Sequence, residues 1–394
     1  MNNKLKVGID LMVEDDLSPI LKKPFIEVVE RLEQLLSQNS KAVLLGAGCS
    51  FCAGLPLTTQ LTQSILESEK LTPESKSILE EIRDNFSGAQ PAAHIEDFLS
   101  ELVDWLAISS RRAGRNTTES SITIKENKYS ESILKDAIEQ IKLAIAEQID
   151  RSVDISMHLR FVMALHQTMR PGKAGFNQPV DYLVMNYDTL IEDALALSKT
   201  PYSDGMAGGV TGWWEPSTFD YNNLDARVYK LHGSINWQEL PDSAIPHRVS
   251  TYVKTNDVGN KRILIWPAST KYRETQLDPY AQLMARARSI FNPIQGAQRV
   301  LLIAGYSFGD SHINLEIERG LKASRGNLTI IAFISDDEPT CDLNKWHKDP
   351  EIKDQVLIFA NKGFFHGDDI RKSSHEDLLW WKFEHITKIL EGVL

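Results

Sequence analysis

An α/β fold is what this sequence predicts, with a mainly parallel sheet, helices on both faces and a helical insertion. Three observations predict it. Short, mainly apolar runs alternate along the chain with segments of helical periodicity. Runs of that kind suit strands covered on both faces. Most of them end in small or polar residues, which a parallel sheet gathers along one edge.

Residues 1–24 contain the acidic Glu14, Asp15 and Asp16 and read as an arm on the body or on a neighbouring subunit. From Pro24, the positions Phe25, Val28, Val29, Leu32, Leu35 and Leu36 recur at threes and fours, the stripe of an amphipathic helix. Residues 41–56 read KAVLLGAGCSFCAGLP. There an apolar strand turns tightly at Gly46, Ala47 and Gly48, followed by Ser50. Glycines let a backbone approach a ligand closely, and free amides beside a helix N-terminus hold phosphate oxygens. The pattern G-x-G-x-x-G fails at Phe51, the next glycine being Gly54. A nucleotide loop and a plain strand–turn both fit. Thr58 and Thr59 open a helix through Leu61, Ile65 and Leu66.

Residues 71–168 are mostly helical in pattern, with stripes on Ile95, Phe98, Leu99, Leu102, Val103 and Leu106 and on Ile133, Ile138, Ile141 and Ile145. Between them, residues 109–121 are expected to form a polar loop. Its Arg111, Arg112 and Arg115 suit solvent or a phosphate. Residues 180–185 (VDYLVM) form the second strand, ending at Asn186, Tyr187 and Asp188 before a helix over 189–197. Residues 199–225 read as a loop. The third strand, 227–231, ends at His232, Gly233 and Ser234, and a fourth is expected over 263–266. A helix over 280–291 leads to the fifth strand, 300–304, which ends in Gly305, Tyr306, Ser307, Phe308, Gly309 and Asp310. A helix over 313–321 follows, then a sixth strand over 328–334 ending at Ser335 and Asp336. Residues 355–359 give a seventh strand and 378–394 a helix with Trp380, Trp381 and Phe383. Five polar strand ends on one edge suggest a dinucleotide crevice.

The totals restrict the function. A chain of 394 residues has room for two or three domains. A net charge of −11 argues against a general nucleic-acid coat. Cys49 and Cys52 form one C-x-x-C pair without a second, a poor zinc site. A redox pair or two small packed residues remain as readings. No apolar run would span a bilayer, and the first residues lack the core of a signal peptide, so a cytoplasmic protein is expected. A nuclease would need a clustered acidic metal motif, and Asp336 with Asp337 is a weak one.

In order, these motifs resemble the sirtuin-like family, in its bacterial branch without a zinc module. Gly46, Ala47, Gly48 and Ser50, with residues 53–56 (AGLP), look like the family's GAG-x-S-x-x-AG-[IL]-P loop. Asn186 and Asp188 match T-x-N-x-D, His232 to Ser234 match HGS, and Gly305 to Asp310 resemble the phosphate loop of this branch. The resemblance implies a Rossmann-like domain that takes NAD as substrate and breaks the bond between nicotinamide and ribose. It implies that Asn186 holds the ribose and a water, that His232 contacts ribose hydroxyls or acts as base, and that Asp188 recognises the carboxamide. Gly46, Ala47, Gly48, Ser50, Gly305 and Ser307 would cradle the pyrophosphate and flanking ribose, and Ser335 would stand at the adenosine ribose in place of the more usual Asn. The implied layout is an arm (1–24), the first part of the Rossmann-like domain (25–70), a helical insertion (71–175) and the remainder (176–394).

Chemistry agrees with such a site. Nicotinamide leaves as a neutral ring, so positive charge develops on the sugar, and oriented polar groups suffice to stabilise it. Imidazole titrates near neutrality and suits a base. The sequence departs from deacylating sirtuins at Leu57, Thr58 and Thr59, where they carry an acidic-aromatic-basic run, and it lacks their second C-x-x-C pair. The expectation is therefore an NAD glycohydrolase without a metal, and the resemblance implies that it depletes NAD in bacterial antiphage defence. The resemblance further implies a HerA-type ATPase partner, a large homo-oligomer, and only indirect contact with nucleic acid. A protein deacylase and a non-catalytic NAD- or ADP-ribose-binding subunit are the alternatives.

Overall fold

The computed structural model describes residues 15–36, 40–89, 92–115, 120–166, 178–240, 243–249, 264–265, 278–293 and 297–393. A nine-stranded sheet organises them. Its strands are β1 (Lys41–Leu45), β2 (Val180–Val184), β3 (Tyr202–Ser203), β4 (Ala226–Lys230), β5 (Arg299–Ala304), β6 (Leu328–Phe333), β7 (Val356–Ala360), β8 (Gly363–His366) and β9 (Asp369–Lys372). Their order across the sheet is β9-β8-β7-β6-β5-β1-β2-β4-β3. Every pairing from β7 to β3 is parallel, and β8 and β9 add an antiparallel edge. This is the predicted mainly parallel, Rossmann-type α/β architecture.

Successive side chains of a strand point to opposite faces, so both faces must be covered where both sets are apolar. On β1, Val43 and Leu45 enter one core and Ala42 and Leu44 the other. The first core is closed by α1 (Phe25–Leu36), α6 (Ser156–His166), α7 (Leu190–Leu197) and α11 (Phe383–Glu391). The second is closed by α8 (Tyr280–Phe291), α9 (Ser311–Ser324) and α10 (Cys341–Lys348). Leu44 is fully buried, which contributes about 2 kcal/mol relative to an exposed leucine. A third core joins α2 (Thr58–Leu66), α3 (Pro73–Asn85), α4 (Ile95–Ala113) and α5 (Glu131–Ile149). Tyr187 and Leu190, just past the end of β2, belong to that helical core. The helical block therefore leans on the polar end of the sheet.

Several local expectations change. Residues 199–225 are not simply loop. They supply β3 and a hairpin, Met206–Gly208 with Gly212–Trp214, which joins Ser243–Arg248 and Trp237–Leu240 in a second, four-stranded sheet. Leu264–Ile265 is a strand, yet it pairs antiparallel with Gly233–Ser234 outside the main sheet. Ile263 and Trp266 lie outside the described residues. Over 109–121, α4 runs on to Ala113, so Arg111 and Arg112 sit in its last turn. The Arg112 guanidinium donates to the Ser121 carbonyl at 3.1 Å, and a hairpin, Ile122–Ile124 with Asn127–Tyr129, follows. The described end of the N-terminal arm lies on the body. Ile20 is buried in the first core, and Lys382 donates to Asp15 at 2.6 Å. No helix among the described residues is long and apolar enough to cross a membrane.

Candidate functional site

The chain runs from β1 outward through β2 to β4 on one side, then returns to β5 on the other side of β1. The topological switch point, where open α/β sheets bind ligands, therefore lies between β1 and β5. Gly46, Ala47 and Gly48 follow β1, and Gly305 follows β5. The Gly48 amide donates to the Gly305 carbonyl at 2.9 Å. A side chain has no room at this contact. A Cβ on Gly46 would meet the Gly305 oxygen at 2.4 Å, and one on Gly305 would meet the Cys49 nitrogen at 2.4 Å. Gly305 also has φ +60°, the left-handed region that glycine adopts at least cost. The two loops thus lie backbone to backbone, with Ala47 and Gly48 half-buried and Ser307 exposed.

Past the end of β2, Asn186 is half-buried. Its amide nitrogen donates to the Gly46 carbonyl at 3.0 Å and to Ser50 Oγ at 2.7 Å. With the NH2 group held, Oδ1 is the polar atom that remains to orient a water or a hydroxyl. Ser50 is almost fully buried, and its hydroxyl donates onward to Asp188 Oδ2 at 2.6 Å. Asp188 Oδ1 accepts from the Leu190 amide at 3.1 Å. Ser50 and Asp188 are thus engaged with protein partners that orient Asn186 and the start of α7.

Beneath this turn, Lys230 at the end of β4 is fully buried. It donates to the Asp188 carbonyl and lies 3.5 Å from Glu192. Burial pushes the Glu192 carboxyl up to about 7, against the pull of Lys230. The pair ties β4 to the turn that carries Asn186.

His232, one step beyond Leu231, is 5% exposed. Its Nε2 lies 3.1 Å from Asp310 Oδ2. Its Nδ1 lies 4.0 Å from Glu96 Oε1. Glu96 is in the first turn of α4 and accepts from the Tyr187 hydroxyl at 2.5 Å. Asp310 is the N-cap of α9, its Oδ1 accepting from the His312 and Ile313 amides. Two carboxylates thus face one imidazole, one from the helical block and one from the β5–α9 loop.

The predicted site residues fall into three groups. Asn186, Asp188, Ser50 and Gly46 form one hydrogen-bonded cluster, with Gly48 and Gly305 in backbone contact beside it. His232 stands at the end of β4, next to β2. Ser335 is exposed beyond the end of β6, and no hydrogen bond joins it to the cluster among the described residues. Glu96 belongs to none of the sequence motifs, and Asp310 enters them only as the last residue of the Gly305–Asp310 loop, with no role of its own. Asp310 had one usable signal, since an Asp opening a helix caps with one oxygen and leaves the second for another donor. Burial raises both thiols of the C-x-x-C pair, Cys52 to about 12, so neither is a thiolate nucleophile near neutral pH. His158, on α6, is buried and held down to about 4, chiefly by desolvation.

Residues 181–354 match the family model of the SIR2-like domain. That span holds Asn186, Asp188, His232, Gly305, Ser307, Asp310 and Ser335; the Gly46–Ser50 loop lies outside it. A solved Sir2 homologue in complex with NAD is similar to this chain at 11% identity and TM-score 0.44, covering 92% of this chain and 93% of that one. A Sir2 homologue mutant with ADP-ribose is similar at 12% identity and TM-score 0.38, covering 92% and 96%. No curated protein matches the sequence.

Proposed function

We propose that this protein is an NAD glycohydrolase, cleaving NAD to nicotinamide and ADP-ribose. The observation that carries the reading is the grouping at the switch point. Asn186, tethered to the Gly46 carbonyl through its amide nitrogen, and His232, backed by Asp310 of the loop that begins at Gly305, stand at neighbouring strand ends. In the proposed reaction the glycosidic C–N bond breaks, and nicotinamide leaves with the electron pair. Asn186 Oδ1 aligns a water whose oxygen bonds the anomeric carbon. The water's proton passes to His232 and then to solvent. Orientation and charge stabilisation supply most of the acceleration. The pyrophosphate is assigned to the amides and Ser307 around the paired glycine loops.

The motif order and the match over 181–354 support the sirtuin-like side of this reading. By the same resemblance, the cellular role is NAD depletion in antiphage defence, regulated by assembly with a HerA-type ATPase. The test is nicotinamide release by wild type, Asn186→Ala and His232→Ala, with and without the ATPase. Activity in wild type and a loss of at least about 100-fold in both variants is expected, with ADP-ribose binding retained. Binding without cleavage in every combination would identify a non-catalytic NAD-binding subunit instead. Unchanged activity in both variants would move the chemistry elsewhere.

A further inference from the structure

The geometry points to Asp310 as a positioning residue that sets the tautomer of His232. It rests on the proposal that His232 receives a proton during NAD cleavage, although the tautomer itself is testable without that reaction. A carboxylate only accepts hydrogen bonds, so a ring nitrogen 3.1 Å from Asp310 Oδ2 must carry the hydrogen. In the neutral ring this puts the proton on Nε2 and makes Nδ1 the acceptor. Nδ1 is then the nitrogen that takes a proton, on the side where Glu96 approaches.

Asp310 is itself fixed. Its Oδ1 is held by two amides at the start of α9. Its carbonyl accepts from the Tyr306 hydroxyl at 3.2 Å, and the same hydroxyl reaches Asn314 Oδ1 at 2.9 Å. Asn314 in turn donates to the Phe308 carbonyl at 2.7 Å and to Asp342 at 2.6 Å. The loop bearing Gly305 and Ser307 and the orientation of His232 therefore share one rigid support. A group bound on that loop and the base opposite it are held in register by Asp310.

The geometry also supplies a near-isosteric test. In Asp310→Asn, Oδ1 can keep the helix cap, which Asn makes as well as Asp. The amide nitrogen then takes the place of Oδ2 and donates to Nε2, driving the ring proton to Nδ1. Full-length protein with histidine labelled at both ring nitrogens reports the tautomer by NMR, and a His232→Gln sample identifies the signal. Wild type is expected as the Nε2–H form and Asp310→Asn as the Nδ1–H form. Nicotinamide release should fall by about 100-fold or more in kcat, with KM for NAD within about threefold. Asp310→Ser, which retains a capping oxygen but is too short to reach His232, should give mixed tautomers and an intermediate kcat. It serves as the second variant if Asp310→Asn does not fold. An unchanged Nε2–H tautomer in the folded variants overturns the inference, as does a flipped tautomer with unchanged kcat in an active enzyme. If the tautomer flips but no protein releases nicotinamide, Asp310 still positions the ring and the cleavage reading falls.

Discussion

Replacing Ser50 by Ala distinguishes two roles for one hydroxyl. The sequence pattern places Ser50 in a phosphate loop, where its loss would weaken NAD binding. The structure instead spends the hydroxyl on Asn186 and Asp188, at 2.7 and 2.6 Å. Removing it takes a hydrogen bond from a buried carboxylate, worth about 1.5–3 kcal/mol. With an unfolding entropy of about 2 cal/mol/K per residue, a 394-residue chain unfolding as one unit loses only about 2–4 °C in Tm. The functional effect is larger. Asn186 keeps a single tether, the Gly46 carbonyl, and its Oδ1 loses its fixed aim. A kcat for nicotinamide release about 10- to 100-fold lower is expected, with KM for NAD within about threefold. Steady-state kinetics over a range of NAD, beside a melting curve, read both numbers. A KM rise of tenfold or more at unchanged kcat would refute the orienting role and return Ser50 to the phosphate.

Two further outcomes follow from packing and burial. Gly305→Ala should lower Tm by about 3–5 °C and weaken ADP-ribose binding, because its Cβ meets the Cys49 nitrogen at 2.4 Å and φ is +60°; a melt within 1 °C or so of wild type would contradict the close contact. His158 is buried with its folded pKa depressed to about 4 from 6.5. Its stabilising contribution is therefore present above about pH 6.5 and is lost as pH falls towards 4. Tm of wild type should drop more steeply across that window than Tm of His158→Gln, and parallel profiles would rule the group out.

The sheet was legible because strands covered on both faces are dominated by apolar residues, as β1, β2, β5 and β6 are, with Lys41, Asp181, Arg299 and Thr329 as their polar positions. The polar strand ends were legible for the complementary reason. They interrupt that apolarity at the one edge where the backbone needs turns and a ligand needs donors. What stayed hidden depends on distance. Glu96 meets His232 across 136 positions of sequence, and Asp310 meets it across 78. In a linear reading each is only an acidic residue at a helix start, where the dipole already accounts for it. The internal use of Ser50 was equally invisible, since a serine in a glycine loop suits a phosphate as well as a buried carboxylate. The short strands of residues 202–214 were missed because two or three residues carry no periodicity. The end of α4 was missed because its polar last turn has the composition of a loop.

The place of β1 in the sheet sets an order of events during synthesis. Among the described residues it is the first strand made, and it lies inside the sheet with β2 on one side and β5 on the other. Its first neighbour is not complete until residue 184, and its second not until residue 304. The helical block emerges from the ribosome in between, and much of it can pack within itself while β1 waits. Long-range parallel pairing of this kind is slow and leaves edges exposed. The contact between Gly48 and Gly305 forms only with the last of these strands. A nascent or truncated chain that ends before residue 305 therefore lacks one wall of the proposed NAD site, whatever else it has folded.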